Sequence, residues 1–126
     1  MQPPGHADVS TQLQSARDLL GQGQAGEAEQ VIQAVLEFRS GFGREDVARS
    51  CGLLGRLLAL RGERIRAWMM AELAVQVACS GAAGPCQASA YLDQAHTLRM
   101  LGDRDEARAC LRRARELASG VVPAAT

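Results

Sequence analysis

Apolar residues recur at spacings of three and four along most of the chain, and glycine-rich stretches cut that pattern into six segments. From about Ser10, Leu13, Ala16, Leu19 and Leu20 share one helical face, and Gly21 and Gly23 end the segment. A second helix is predicted from about Ala25 to Phe38, with Ala28, Val31, Ile32, Val35 and Phe38 as its buried stripe. Ser40-Gly41-Phe42-Gly43 reads as a turn. Glu45 and Asp46 then fall in the first turn of a third helix, at the dipole end that favours acids, and Val47, Cys51, Leu54, Leu57, Leu58 and Leu60 carry it to Gly62. The fourth, from about Ile65 to Cys79, is apolar nearly all round, which predicts a helix covered on several sides and assigns Trp68, Met69 and Met70 to the core. After the Ser80–Gly84 connection, Pro85 suits the first turn of a fifth helix that runs to Leu101 and Gly102. The sixth, about Asp105 to Ala118, sets Ala107, Cys110, Leu111, Ala114 and Leu117 against a polar face of Arg108, Arg112, Arg113, Arg115 and Glu116. The expected class is all-α.

The segments repeat. Ala48 to Ala67 reappears 40 residues later as Ala88 to Ala107: Leu58 matches Leu98, Gly62-Glu63-Arg64 matches Gly102-Asp103-Arg104, and Gly55 faces Ala95. A fainter copy upstream places Ala16, Leu19, Gly23 and Ala28 at 39 residues before Gly55, Leu58, Gly62 and Ala67. Three copies of one helical hairpin are the mark of a stacked array.

The unit resembles the tetratricopeptide repeat over about residues 9–119. The small residues of its signature fall on Ala16, Gly55 and Ala95 in the first helices, and on Ala28, Ala67 and Ala107 in the second, with Val35, Ala74 and Ala114 further along. Where helices cross closely only small side chains fit. The spacing of 39 to 40 exceeds the usual 34 or so and looks like the longer-helix branch of kinesin light chains and bacterial regulators. Tyr91 alone fills the first-helix aromatic place, where Gln12 and Cys51 stand in the other copies, and the helix-ending Pro is absent. The resemblance implies a right-handed α-solenoid of three repeats, about 9–43, 44–83 and 84–119, between a disordered tail (1–8) and a flexible one (120–126).

It also implies a peptide-binding groove lined by the first helix of each repeat. The groove residues would be Leu13, Arg17 and Leu20; Arg49, Leu53, Arg56 and Leu60; and Ser89, Leu92, Asp93, His96, Arg99 and Met100. Arg17, Arg56 and His96 would stack in register, a ladder able to grip an acidic or phosphorylated segment through planar guanidinium forks. The clamp that some members use on chaperone tails needs Lys, Asn, Asn, Lys and Arg where this chain has Leu13, Arg17, Leu53, Ser89 and Asp93, so that specialisation is not expected.

Composition narrows the function classes. The 126 residues are 47% hydrophobic but only 3% aromatic, so the core must be built from small and straight side chains, as close helix contacts require. With 14 basic and 14 acidic residues the net charge is zero, which argues against a dedicated nucleic-acid binder. Residues 1–47 carry three Arg against seven acids and residues 48–80 five Arg against two. No apolar run suggests a signal peptide or membrane span, so a cytoplasmic location is expected. Cys51, Cys79, Cys86 and Cys110 lie in or beside helical stretches and are expected as free, mostly buried thiols. With no CxxC or HxxxH pattern, no phosphate loop and His96 the one histidine in the repeats, neither a metal, a cofactor nor an enzyme is expected. The reading is an interaction module, an adaptor, partner chaperone or regulatory scaffold, that binds a peptide or helix of another protein. Its alternative is a small-molecule- or peptide-sensing domain of a bacterial transcription regulator, with its ligand near Arg56, His96 and Arg99. An uncapped array end offers a route to a homodimer.

Overall fold

In a computed structural model that describes residues 6–81 and 84–120, the chain forms six α-helices: α1 (His6–Gly21), α2 (Ala25–Leu36), α3 (Arg44–Leu60), α4 (Arg64–Cys79), α5 (Gly84–Met100) and α6 (Arg104–Ser119). The described residues contain no strand. The first helix starts ahead of Ser10. The second ends short of Phe38, which instead leads a single 3-10 turn over Arg39–Gly41. The Gly43 N–H donates to the Asp46 carboxylate at 3.3 Å, which fixes the start of α3 through an acid in its first turn. The expected tails lie outside the described residues at 1–5 and 121–126, as does part of the connection before α5.

The three hairpin turns share one geometry. Gly23, Gly62 and Gly102 have φ of 79°, 78° and 88°, the left-handed region that a side chain resists. In each, an N–H two residues into the link reaches back to the preceding helix: Gln24 to the Leu19 carbonyl at 2.8 Å, Glu63 to Leu58 at 3.0 Å, and Asp103 to Leu98 at 2.9 Å. These are helix-ending bonds of the Schellman type, and they set the reversal between paired helices.

Within hairpins α1 packs on α2, α3 on α4, and α5 on α6; between hairpins α3 packs on α1 and α2, and α5 on α3 and α4. The odd helices thus form a row, α1–α3–α5. The small positions of the repeat lie at the contacts: Ala16, Ala28, Val35, Ala67 and Ala74 are fully buried, and Ala95, Ala107 and Ala114 nearly so. Gly55 shows why size matters, because a Cβ there would stand 3.2 Å from both the Ala67 carbonyl and the Ala71 nitrogen. Between the first two hairpins Leu13, Leu20, Ile32, Leu53 and Leu57 build the main apolar core. Buried Gln94 joins the later helices, donating to Glu72 of α4 at 2.7 Å and accepting from the Cys110 thiol of α6 at 3.2 Å.

Two expectations need correction. Trp68 and Met69 are 48% and 53% exposed, and with Ile65 and Leu73 they form an apolar stripe on the outer face of α4. That helix buries Ala67, Ala71, Ala74 and Ala78 instead, since its contact with α3 is too close for large side chains. An all-apolar helix does not disclose which side is inward. The cysteines are free, but only Cys51 and Cys86 are buried; Cys110 is half-buried and Cys79 exposed, with its Sγ 3.9 Å from the Tyr91 hydroxyl.

The close crossing predicts unequal glycines. Gly55→Leu should lower folding stability by about 1–3 kcal/mol or more through overpacking. Gly26→Ala in α2, where a Cβ meets open space, should be neutral or stabilising by up to about 1 kcal/mol. Urea denaturation of the two variants checks the contrast.

Candidate functional site

One ion pair crosses the row of odd helices. Arg17 of α1 clasps Asp93 of α5 with both ends of its guanidinium, at 2.5 Å to Oδ1 and 2.9 Å to Oδ2, and gives a third bond to Ser89 Oγ at 3.1 Å. The bridge runs from the first helix of the row to the last and passes over α3 at Gly52.

Asp93 itself is only 1% exposed. It sits on α3 at Gly52, where a Cβ would come within 2.6 Å of its Oδ2, so this backbone approach depends on the missing side chain. In repeat register Asp93 occupies the place held by Leu53 in the second copy, and both are buried core positions. A charge at such a place is expensive unless paired and hydrogen-bonded. Arg17 pairs it from α1, and Arg56 of α3 adds a longer contact, 3.4 Å from its Nη1 to Oδ1.

The expected groove residues separate into four groups. Arg17, Arg56, Ser89 and Asp93 are drawn together into the ion cluster, with His96 beside it. Arg49 is half-buried and donates to Ser10 Oγ at 3.1 Å on the α1 side. Leu60, Leu92, Arg99 and Met100 are exposed, the three apolar ones at 45%, 38% and 47%. Leu53, with Leu13 and Leu20, is instead part of the apolar core and offers no groove surface. The accessible part of the face is thus apolar side chains at the ends of α3 and α5 and at the middle of α5, beside a cationic centre.

Burial holds the His96 imidazole below its ordinary value of 6.5, and the Arg56 charge pushes it the same way; Asp93 opposes this, while Arg99 and Arg17 add to the lowering. The centre is therefore a place of positive potential, with two guanidiniums set against one carboxylate. Two residues that sequence reasoning missed complete it: Gly52, the seat of Asp93, and Ser10, the partner of Arg49. The available signal was an acid standing where the previous copy has a core leucine.

Two open clefts lie elsewhere. One of about 490 Å³ between α1 and α2 is lined by Gln12, Ser15, Leu19, Glu27, Gln30, Val31 and Ala34. The other, of about 280 Å³, lies beside the α4 stripe and is lined by Arg64, Ile65, Trp68, Leu98, Leu101 and Asp103. No group of three or more metal-ligating side chains comes together among the described residues, and no described helix is long and apolar enough to cross a membrane. Comparison of the chain with protein-family models, curated proteins and solved structures finds no match.

His96 gives a direct check on the potential. Its titration midpoint, followed by NMR, should lie below 6.5, and Arg56→Gln should raise it. Because the folded value is depressed, the imidazole is neutral in both states well above pH 6.5; as pH falls through that value the unfolded chain takes the proton first and stability declines.

Proposed function

We propose that this protein is an interaction module whose concave face, made by α1, α3 and α5, holds a peptide or helix of another protein. The observation that carries the reading is the exposure of Leu60, Leu92 and Met100 on the same row of helices as the Arg17–Asp93–Arg56 cluster. Exposed leucine and methionine beside fixed charge give a partner both apolar area and orientation. The repeated small positions and the shared turn geometry support a three-unit, tetratricopeptide-like array, in which the first helices of the hairpins line the binding trough. Such a module acts as an adaptor or regulatory scaffold, and the partner it fits is a protein segment rather than nucleic acid.

Capture of partners from the source organism tests this. Leu92→Glu and Met100→Glu replace exposed side chains, and each should reduce capture about tenfold or more, by removing apolar contact and burying an unpaired charge. Capture unchanged by both variants places binding on another surface.

A further inference from the structure

Arg56 is a half-buried cation with one long contact to hold it. Its side chain is 14% exposed, yet its only ion-pair or hydrogen-bond partner among the described residues is Asp93, through one contact of 3.4 Å. That is longer than an ordinary charge-assisted bond of about 2.7–2.9 Å. Asp93 gives its shorter contacts to Arg17, at 2.5 and 2.9 Å to its two oxygens, and its Oδ2 lies against the backbone of α3 at Gly52. Two guanidiniums share one carboxylate, and the cluster keeps an excess positive charge that buried surroundings do not screen as water does. The next charge along α5 does not cancel it either, since Arg99 stands about one helical turn beyond His96.

We propose that the outer edge of Arg56, between His96 and Arg99 on the concave face, is the seat of a single oxyanion group, a carboxylate or phosphate, and that Asp93 is the positioning residue that holds Arg17 and Arg56 side by side there. This deepens the groove reading and rests on it: of the expected three-rung cationic ladder, Arg17 is used up by Asp93 within the chain, and Arg56 is the rung left for a ligand. The group belongs either to an acidic protein segment or to a free small anion, and both use the same donors. Asp93 sets the affinity as well as the geometry. By cancelling one of two positive charges it keeps the seat selective for an anion that brings further contacts from Leu60 and Met100.

The test uses the intact protein with two probes at constant ionic strength, inorganic phosphate and a short acetylated tetraglutamate peptide, with binding followed through the His96 ring signal by NMR. Both probes should shift that signal saturably and raise the His96 midpoint, because an anion at Arg56 offsets the potential that disfavours the imidazolium. Arg56→Gln should weaken binding about tenfold or more, the worth of a charge-assisted bond. Asp93→Asn should strengthen it by a similar factor, since the second guanidinium is then uncompensated. Arg17→Gln, which leaves Arg56 and Asp93 as a neutral pair, should weaken it. A merely structural cluster would give the same direction of effect for Asp93→Asn and Arg17→Gln. The proposal is overturned by a non-saturating response of the wild type, by unchanged binding in Arg56→Gln, or by binding in folded Asp93→Asn no tighter than wild type. Should Asp93→Asn not fold, the wild type, Arg56→Gln and Arg17→Gln decide it alone. Peptide binding tighter than phosphate assigns the group to a protein segment; equal binding assigns it to a small anion. Loss of the seat with capture still sensitive to Leu92→Glu leaves the groove standing without it.

Discussion

The bidentate contact between Arg17 and Asp93 is the one interaction that draws all three odd helices to a single point. It is the link between the first helix and the fifth, across a third helix that yields by having glycine at position 52. A buried ion pair is weak ground for stability, because desolvation offsets much of the attraction, and an apolar replacement of both partners is often neutral. Its effect is directional. A leucine at position 93, as at the equivalent position 53, would pack in many orientations, whereas a fork of two parallel bonds admits one separation and one angle between α1 and α5. Apolar packing brings the helices together; the pair fixes the separation of its own two side chains across α3.

Packing supplies the complementary half of that geometry. Alanine at 67, 71, 74 and 78 lets α4 lie against α3 at a distance where Gly55 almost touches backbone, and the same small residues leave the helix's large side chains no place inside. The exposed Ile65, Trp68, Met69 and Leu73 are thus a consequence of the close crossing. The arrangement divides labour between faces: the row of odd helices carries the ion cluster, and the outer side of α4 carries apolar surface. Further links tie hairpin to hairpin at the periphery, with Arg61 paired to Glu29 and Arg64 donating to the Leu101 carbonyl at 2.7 Å.

Much of the fold was legible in the sequence because it rests on local rules. Six helices and the turns at Gly23, Gly62 and Gly102 follow from periodicity and from the residue that accepts positive φ. The small positions at Ala16, Ala28, Ala67 and Ala107 follow from self-similarity at 39 to 40 residues, and they are buried. What failed was orientation about the helix axis. In α4 apolar residues point every way, so the pattern holds no preferred face, and the alternative of small against large was the better guide. At the site, repeat register identified Arg17, Arg56 and His96 as neighbours, since equivalent positions on successive helices lie side by side. It did not disclose that Arg17 spends its charge on Asp93. That contact spans 76 residues and depends on how three helices pack, which no local pattern encodes.

Net charge misleads for a related reason. A chain with 14 basic and 14 acidic residues has no long-range field to attract an anion, and by that measure no such ligand is expected. Charges act on one another mainly within a Debye length of about 8 Å at physiological salt, and far less through water than through a low-dielectric interior. What matters at Arg56 is therefore the local sum: Arg17, Arg56 and Arg99 against Asp93, with an imidazole that burial and those same cations keep from protonating. The acids that make the whole chain neutral sit largely in the first 47 residues and at the start of α6, many of them exposed to water or paired with their own helix neighbours. They balance the charge count from a distance, while the charges around Asp93 are set by its own neighbours. A neutral protein can thus carry a local cluster of uneven sign, and the repeat position that changes from Leu53 to Asp93 is where two guanidiniums meet one carboxylate.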